Sequence, residues 1–175
     1  MKKSLKLWQI GGFLFTSVSG TLLHFLYDWT KQSIIVAPFS AVNESTWEHM
    51  KLLFIPLFVF AFIENSYIGE KYDNYWCTKF IGTSAGLIII PVMYYTYTGA
   101  LGVSADWFNI SIFYIAAAAV YYLETQLLKR EISICKSQKV CLVVLCLIAV
   151  SFVVFTFVQP KIPLFKDPVT GQYGM

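Results

Sequence analysis

Residues 140–158 read VCLVVLCLIAVSFVVFTFV, a run of 19 residues without a charged side chain. A helix needs about 20 predominantly apolar residues to cross the hydrocarbon core of a bilayer. Soluble domains place their apolar residues in periodic stripes, not in long unbroken runs. This stretch therefore predicts a transmembrane helix and identifies the membrane as the environment in which the chain folds.

Four other stretches are long and apolar enough to cross a membrane, and Trp or Tyr stands at or near most of their ends, as is usual at a bilayer interface. Only 13% of the 175 residues are charged and 57% are hydrophobic, whereas soluble domains carry about 25% charged residues. We predict an all-α integral membrane bundle of about five helices over residues 1–159. The predicted spans are residues 7–29, 47–68, 76–97, 107–128 and 140–158.

The positions of the cations predict the orientation of the bundle. With a cytoplasmic N-terminus, nine Lys and Arg residues fall on the inner side and four on the outer side, which agrees with the positive-inside rule. The tail, residues 160–175, then lies on the extracytoplasmic side. Its three prolines predict an irregular segment after the last helix.

The second span is the least regular of the five. Its uncharged core, residues 52–63, has only 12 residues, or about 18 Å at the helical rise of about 1.5 Å per residue. One end must therefore carry polar residues into the membrane. These are either Glu64 at the inner end, or Glu48, His49 and Lys51 at the outer end.

Small residues predict where helices approach each other closely. Gly82 and Gly86 form a GxxxG pattern in the third span, and Gly12 and Gly20 recur on one face of the first. Such residues let two backbones come together inside a membrane. We expect them to mark contacts within one bundle.

Unusual polar residues gather in the outer leaflet of this topology. His24 and Asp28 are four residues apart near the outer end of the first span, so they share one helix face. Glu48 and His49 open the second span at the same depth. Ionisable residues inside a membrane are costly, and by default they face the bundle interior and mark function. The expected pocket also includes Glu44, Tyr94, Tyr97, Asp106 and Asn109.

The same cluster contains the ligand types of a divalent-metal site. His49 lies at a helix N-terminus, whose positive end favours the neutral imidazole that binds metals. Asp28 lies at a helix C-terminus and needs a compensating cation. Neighbours Glu48 and His49 point about 100° apart, so they share one ion only if the turn is distorted. The candidate ligands for zinc or a similar ion are His24, Asp28, Glu48 and His49, with Glu44 as an alternative carboxylate.

Three interpretations of this cluster stay open. In the first, Glu48 completes a capping box with Ser45, His49 forms a hydrogen bond with a backbone carbonyl, and Asp28 pairs with Lys31 at the surface. In the second, the cluster holds a divalent metal. In the third, it forms a polar pocket without metal that binds a solute or ion through its carboxylates.

A second polar cluster falls near the inner ends of the spans. Glu64 lies near the end of the second span, Lys79 at the start of the third and Glu124 towards the end of the fourth. Two acids at this depth could carry protons or cations, so Glu64 and Glu124 are candidate residues of an ion pathway. In the alternative interpretation each acid pairs with Lys79 or Lys129 as a buried structural tie.

Three stretches carry a resemblance to a known family. They are residues 24–29, HFLYDW, residues 37–56, APFSAVNESTWEHMKLLFIP, and residues 163–174, PLFKDPVTGQYG. Together they resemble a family of small bacterial polytopic membrane proteins with no assigned function. The resemblance implies a multi-pass protein of the bacterial cytoplasmic membrane and supplies no reaction.

A second resemblance rests on Ser17, His24, Asp28 and His49. It is to the membrane hydrolases related to alkaline ceramidases, in which Ser, Asp and His side chains surround zinc within a helical bundle. This chain differs in having about five helices where those enzymes have seven. It also lacks their paired His motif in the last helix.

The sequence favours a binding or transport protein, with a small solute or an ion in the outer pocket, over an enzyme. The first alternative is a membrane-embedded metal-dependent hydrolase acting on a lipid, with Glu48 or Asp28 as the base that activates a metal-bound water. The second is a non-enzymatic accessory subunit whose protein partner the sequence does not identify. The lipid bilayer is an expected partner, whereas nucleic acid is not, because no basic stripe with interleaved aromatic residues is present.

Overall fold

The computed structural model describes residues 2–130 and 137–175 as a bundle of five long helices. Each helix is long and apolar enough to cross a membrane, so the prediction of an all-α bundle of five helices of membrane-spanning length is confirmed. Lys136, which the sequence places on the inner side, lies outside the described residues. The helices are α1 (Lys2–Trp29), α2 (Thr46–Ile68), α3 (Tyr75–Leu101), α4 (Asp106–Lys129) and α5 (Gln138–Phe157).

The helices differ from the predicted spans mainly at their ends. α1 begins at Lys2, before the predicted start at residue 7, and its first turn is a polar extension of the apolar run. α3 continues to Leu101, where Gly102 adopts the left-handed conformation with φ 70° and donates its N–H to the carbonyl of Thr98. A glycine in this position is a common helix end because no Cβ opposes the left-handed backbone.

α2 is the most buried helix and contacts all four of the others. Its position explains how it tolerates polar residues at both ends. Glu48 and Lys51 near its start, and Glu64 near its end, are all shielded from the surroundings by neighbouring segments. Sequence reasoning required only one end to carry buried polar residues, and in the structure both ends do.

The bundle has two polar ends, which we call the N-terminal face and the C-terminal face. At the N-terminal face α1, α3 and α5 begin and α2 and α4 end. At the C-terminal face α1, α3 and α5 end, α2 and α4 begin, and the tail folds back. The tail is held there by Phe165, which is 3% exposed and packs on Trp47 with ring centroids 4.6 Å apart.

Two of the cations that count towards the orientation of the bundle are buried inside it. Lys51 is fully buried and Lys79 is 3% exposed, so neither is a loop charge of the kind that the positive-inside rule considers. Without them, the assignment made from the sequence leaves eight cations for the inner side and three for the outer side. The predicted cytoplasmic N-terminus keeps its support and stays a prediction.

α3 and α4 share the most extensive helix contact, and the GxxxG residues of α3 lie in it. A Cβ added at Gly86 would stand 2.5 Å from Cγ2 of Val120 and 3.0 Å from Cδ2 of Leu53. A Cβ at Gly82 would stand 2.6 Å from Cγ of Glu124. The two helices therefore pack at a distance that only glycine allows at these positions.

Replacing Gly86 by alanine is expected to destabilise the bundle by about 1–3 kcal/mol, because α3 and Val120 must separate to make room for the methyl group. Gly99→Ala is the matched control on the same helix, since nothing lies within 4 Å of a Cβ there. The control should keep or slightly raise stability, because alanine favours a helix by about 1 kcal/mol. Thermal unfolding in detergent measures both, and equal melting temperatures would contradict the packing described.

Candidate functional site

A cavity of about 550 Å³ lies at the C-terminal face between α1, α2, α3 and α4. Its floor is apolar, with Leu52, Ile90 and Phe113 among its lining residues. Its walls carry most of the polar residues that the sequence places in the outer leaflet. Those lining the cavity are His24, Glu44, His49, Tyr94, Asp106 and Asn109.

Three of these side chains converge tightly enough to hold one metal ion. His24 Nε2 lies 3.7 Å from Oε1 of Glu44, and His49 Nε2 lies 3.6 Å from Oε2 of the same carboxylate. One ligand atom from each residue lies within 4.8 Å of the others. The histidine side chains are 29% and 25% exposed and that of Glu44 is 47% exposed, so an ion can reach them from the cavity.

The hydrogen bond of His49 fixes which of its nitrogens faces Glu44 as an acceptor. Nδ1 lies 3.0 Å from the carbonyl oxygen of Ser45, and a carbonyl can only accept, so Nδ1 must carry the proton. In the neutral ring Nε2 then presents a lone pair towards the carboxylate. Metal-binding histidines are commonly oriented by such a second hydrogen bond.

Glu48 does not join this group. Its Oε2 lies 2.5 Å from Nζ of Lys51, and both side chains are fully buried. The same oxygen accepts the N–H of Val42 at 3.2 Å. His49, one residue later, faces the cavity, as expected from the 100° between successive helical side chains. Of the three carboxylates that sequence reasoning offered to the metal, Asp28, Glu48 and Glu44, the structure brings Glu44 to the histidines.

Only half of the predicted capping box forms. Ser45 Oγ accepts the N–H of Glu48 at 3.4 Å at the start of α2. The N–H of Ser45 is bound instead by the side-chain oxygen of Asn43, at 3.0 Å. The reciprocal arm is missing because the Glu48 carboxylate is engaged by Lys51 and Val42.

Lys51 connects three segments at the C-terminal face. Besides pairing with Glu48, its ammonium donates to the carbonyl of Ala37 at 2.9 Å and to the hydroxyl of Thr156 at 3.0 Å. The first contact holds the loop between α1 and α2, and the second holds α5. Because Glu44 belongs to that loop, the ion pair indirectly fixes the position of the carboxylate between the histidines.

Asp28 and Tyr97 lie beside the cavity without lining it. Asp28 is exposed at the end of α1 and is outside the group formed by the three candidate ligands. Tyr97 donates a hydrogen bond to Oδ1 of Asn109 and lies 3.2 Å from the hydroxyl of Ser104. It therefore ties α3 to the start of α4 and orients Asn109, which lines the cavity.

Sequence reasoning missed the contribution of the tail to this cavity. Pro168 and Val169 form part of its lining. Asp167 shapes the turn that contains these two residues, since its side chain accepts the N–H groups of Val169 at 2.7 Å and Thr170 at 3.3 Å. The carbonyl of Gly174 accepts from Asn43 at 2.8 Å, next to Glu44 in sequence. The Asp-Pro-Val-Thr-Gly turn pattern was the available signal for an ordered tail.

One protein-family model matches residues 1–175, which is the whole chain. The chain belongs to DUF6512, a family of unknown function. No curated protein and no solved structure matches the chain. Membership agrees with the resemblance to a family without an assigned function, whereas the bacterial origin stays a prediction.

The two remaining candidates, Glu64 and Glu124, lie at the N-terminal face, far along α2 and α4 from the cavity. Both are fully buried, and both carboxylates lie 2.5 Å from Nζ of Lys79. Lys79 thus bridges the two acids, whereas sequence reasoning offered Lys79 or Lys129 as separate partners. Gln9 and Tyr75 also bind Glu64, at 2.7 and 3.1 Å. Gln9 could have been noticed as a polar residue within the apolar run of α1.

Replacing Lys51 by methionine is expected to destabilise the protein by about 3–5 kcal/mol, because the Glu48 carboxylate is left buried without its cation. The double variant Lys51→Met/Glu48→Gln has no unpaired charge and should recover part of this loss. Chemical unfolding in detergent micelles measures both. A double variant as unstable as Lys51→Met would show that the ion pair is not the source of the effect.

Proposed function

We propose that the protein binds a divalent transition-metal ion such as zinc through His24, Glu44 and His49, in a pocket that also binds or transports a small solute or ion. The observation that carries the proposal is the convergence of two imidazole Nε2 atoms on one carboxylate, at 3.7 and 3.6 Å. Nε2 of His49 is an acceptor when the ring is neutral, because Nδ1 carries the proton, and Nε2 of His24 is one in the tautomer with the proton on Nδ1. A cation between the two nitrogens and the carboxylate would bind all three as ligands.

The distances and the donor set support a zinc-type ion. Zinc bound by histidine nitrogen and carboxylate oxygen at about 2.0–2.2 Å in a tetrahedron separates neighbouring ligand atoms by about 3.3–3.5 Å. The separations from Glu44 are a few tenths of an ångström longer, so small side-chain rotations would close the site. Two imidazoles with one carboxylate suit zinc and its neighbours better than Mg²⁺ or Ca²⁺, which prefer oxygen ligands.

The cavity gives such an ion room for a further ligand. Three protein ligands leave the fourth tetrahedral position for water or a bound molecule, as in sites where zinc acts on a ligand. Tyr94, Asp106 and Asn109 line the same cavity and offer hydroxyl, carboxylate and amide groups. A small polar solute can therefore contact the ion and these groups together.

We infer that the pocket opens to the extracytoplasmic side of a bacterial cytoplasmic membrane. The support is the excess of cations that the sequence assigns to the inner side, which remains eight to three after the buried lysines are set aside. The family resemblance described from the sequence supports the bacterial membrane. Solutes from outside the cell would then reach the metal first.

Zinc titration of chelator-treated, purified protein is expected to give about one equivalent bound and a higher melting temperature. At a free zinc concentration of about 100 times the dissociation constant, binding stabilises the folded state by about 2.7 kcal/mol. Glu44→Gln and His49→Ala should lose at least tenfold in affinity, because each removes one of three ligands. Asp28→Asn is the matched control, since Asp28 lies nearby but outside the ligand group.

Two results would contradict the proposal. Less than about a tenth of an equivalent of zinc at saturation would exclude a site of ordinary zinc affinity. Equal affinities of the Glu44→Gln and Asp28→Asn variants would place any bound ion elsewhere.

A lipid hydrolase is the second candidate, and the apolar side of the cavity favours it. Phe25, Ile110 and Tyr114 line the cavity and are also exposed on the helix surface that faces lipid. An acyl chain could therefore enter from the bilayer between α1 and α4. Of the two bases that the sequence offered, Glu48 is engaged by Lys51, and neither Glu48 nor Asp28 lines the cavity. Fatty-acid release from bilayer lipids by zinc-loaded protein, abolished in Glu44→Gln, would decide for the enzyme.

A further inference from the structure

The cluster at the N-terminal face has an unequal number of acids and bases. Glu64, Lys79 and Glu124 come from α2, α3 and α4, and their exposed fractions are 0%, 3% and 0%. One ammonium thus stands against two carboxyl groups. With both carboxyl groups ionised, this buried cluster would carry a net charge of −1, and uncompensated buried charge is strongly unfavourable.

Glu64 has the hydrogen bonds that stabilise a carboxylate. Its Oε1 accepts from the side-chain amide of Gln9 at 2.7 Å. Its Oε2 lies 2.5 Å from Nζ of Lys79 and 3.1 Å from the hydroxyl of Tyr75, which also lies 2.6 Å from the carbonyl of Ala61. Both oxygens of Glu64 are therefore occupied by donors from α1 and α3.

Glu124 has only one donor. Its Oε2 lies 2.5 Å from Lys79, whereas its Oε1 is buried without a hydrogen-bond partner among the described residues. The reason is local, because the side chain lies against Gly82 of α3, which offers no polar group of its own. A second buried acceptor, Oε1 of Gln9, is also without a partner. The cluster thus has more acceptors than donors.

Among the residues that the structure describes, the other titratable groups around the cluster are tyrosines and do not supply the missing positive charge. Tyr75 and Tyr121 face it, with their ring centroids 5.4 and 5.7 Å from Nζ of Lys79. The Tyr121 hydroxyl is paired with Thr16 at 2.8 Å. Of the described side chains of α1, Gln9 and Thr16 contact this network, and both are neutral.

We propose that the cluster is a proton-binding site and that Glu124 holds the proton in the folded protein. Its carboxylate takes up one proton from solvent, and one O–H bond forms at the oxygen that does not bind Lys79. Glu64 stays ionised and paired with Lys79, so the cluster becomes neutral. The ligand is a proton, and the site is independent of the metal proposed at the opposite face.

The test counts protonated carboxyl groups by infrared spectroscopy at neutral pH, using the C=O stretch of the acid and its shift in D₂O. The unchanged protein is expected to show a protonated carboxyl band that is lost in Glu124→Gln. The band should also be lost in Glu64→Gln, because Glu124 then ionises and pairs with Lys79. Lys79→Met should increase it to twice its intensity, because both acids then need a proton.

Melting temperatures of the two glutamine variants identify which acid carries the proton. Glu124→Gln replaces a neutral group by a neutral group and should melt close to the unchanged protein. Glu64→Gln removes the carboxylate that Gln9 and Tyr75 bind and should melt clearly lower. Zinc binding should be unchanged in both variants, so that a failure of the proton site can be distinguished from a failure of the proposed metal site.

Three results would overturn the proposal. Absence of the band in the unchanged protein would mean that both acids are ionised. Persistence of the band in Glu124→Gln would place the proton outside the cluster. A Glu124→Gln variant that melts below Glu64→Gln, or does not fold, would place the proton on Glu64.

Discussion

The candidate site at the C-terminal face depends on one buried ion pair, between Glu48 and Lys51. Both side chains are fully buried, and each is costly in that position unless the other is present. Together they bind Val42, Ala37 and Thr156. The pair therefore joins the start of α2 to the preceding loop and to α5. It therefore helps to place Glu44, together with the hydrogen bonds of the neighbouring Asn43 to Gly174 and Ser45.

The sequence predicted the elements of the fold well because hydrophobic length is a strong signal in membrane proteins. All five helices were anticipated, and so was the close approach at Gly86. The sequence also grouped His24, His49, Tyr94, Asp106 and Asn109 at one depth, since depth follows from topology alone. These residues line one cavity in the structure.

Depth alone does not say which way a side chain points, and this is where sequence reasoning lost precision. Glu48 and His49 are adjacent in sequence, yet Glu48 pairs with Lys51 whereas His49 lines the cavity. Glu44 lies in a loop, whose path depends on tertiary contacts such as that of Lys51 with Ala37. The tail was expected to be irregular, and its contact with the cavity depends on the packing of Phe165.

The same reasoning explains the second cluster. Its acids were visible in the sequence, but the sharing of Lys79 between α2 and α4 requires three helices at known angles. Gln9, which donates a hydrogen bond to Glu64 in this cluster, is a single amide side chain within the apolar run of α1. Only its distance of 2.7 Å from Glu64 shows that it belongs to the polar network.

The polar partners of Glu64 lie in the helices before and after α2 in the chain. This arrangement affects how the chain enters the membrane during synthesis. Glu64 finds Gln9 in the helix made before it and Lys79 in the helix made after it. α2 alone would expose a carboxylate to lipid, and α3 alone would expose an ammonium. Inserted together across their short connection, residues 69–74, the two helices neutralise each other. We expect the insertion machinery to release them as a hairpin, with α4 delivering the second acid afterwards.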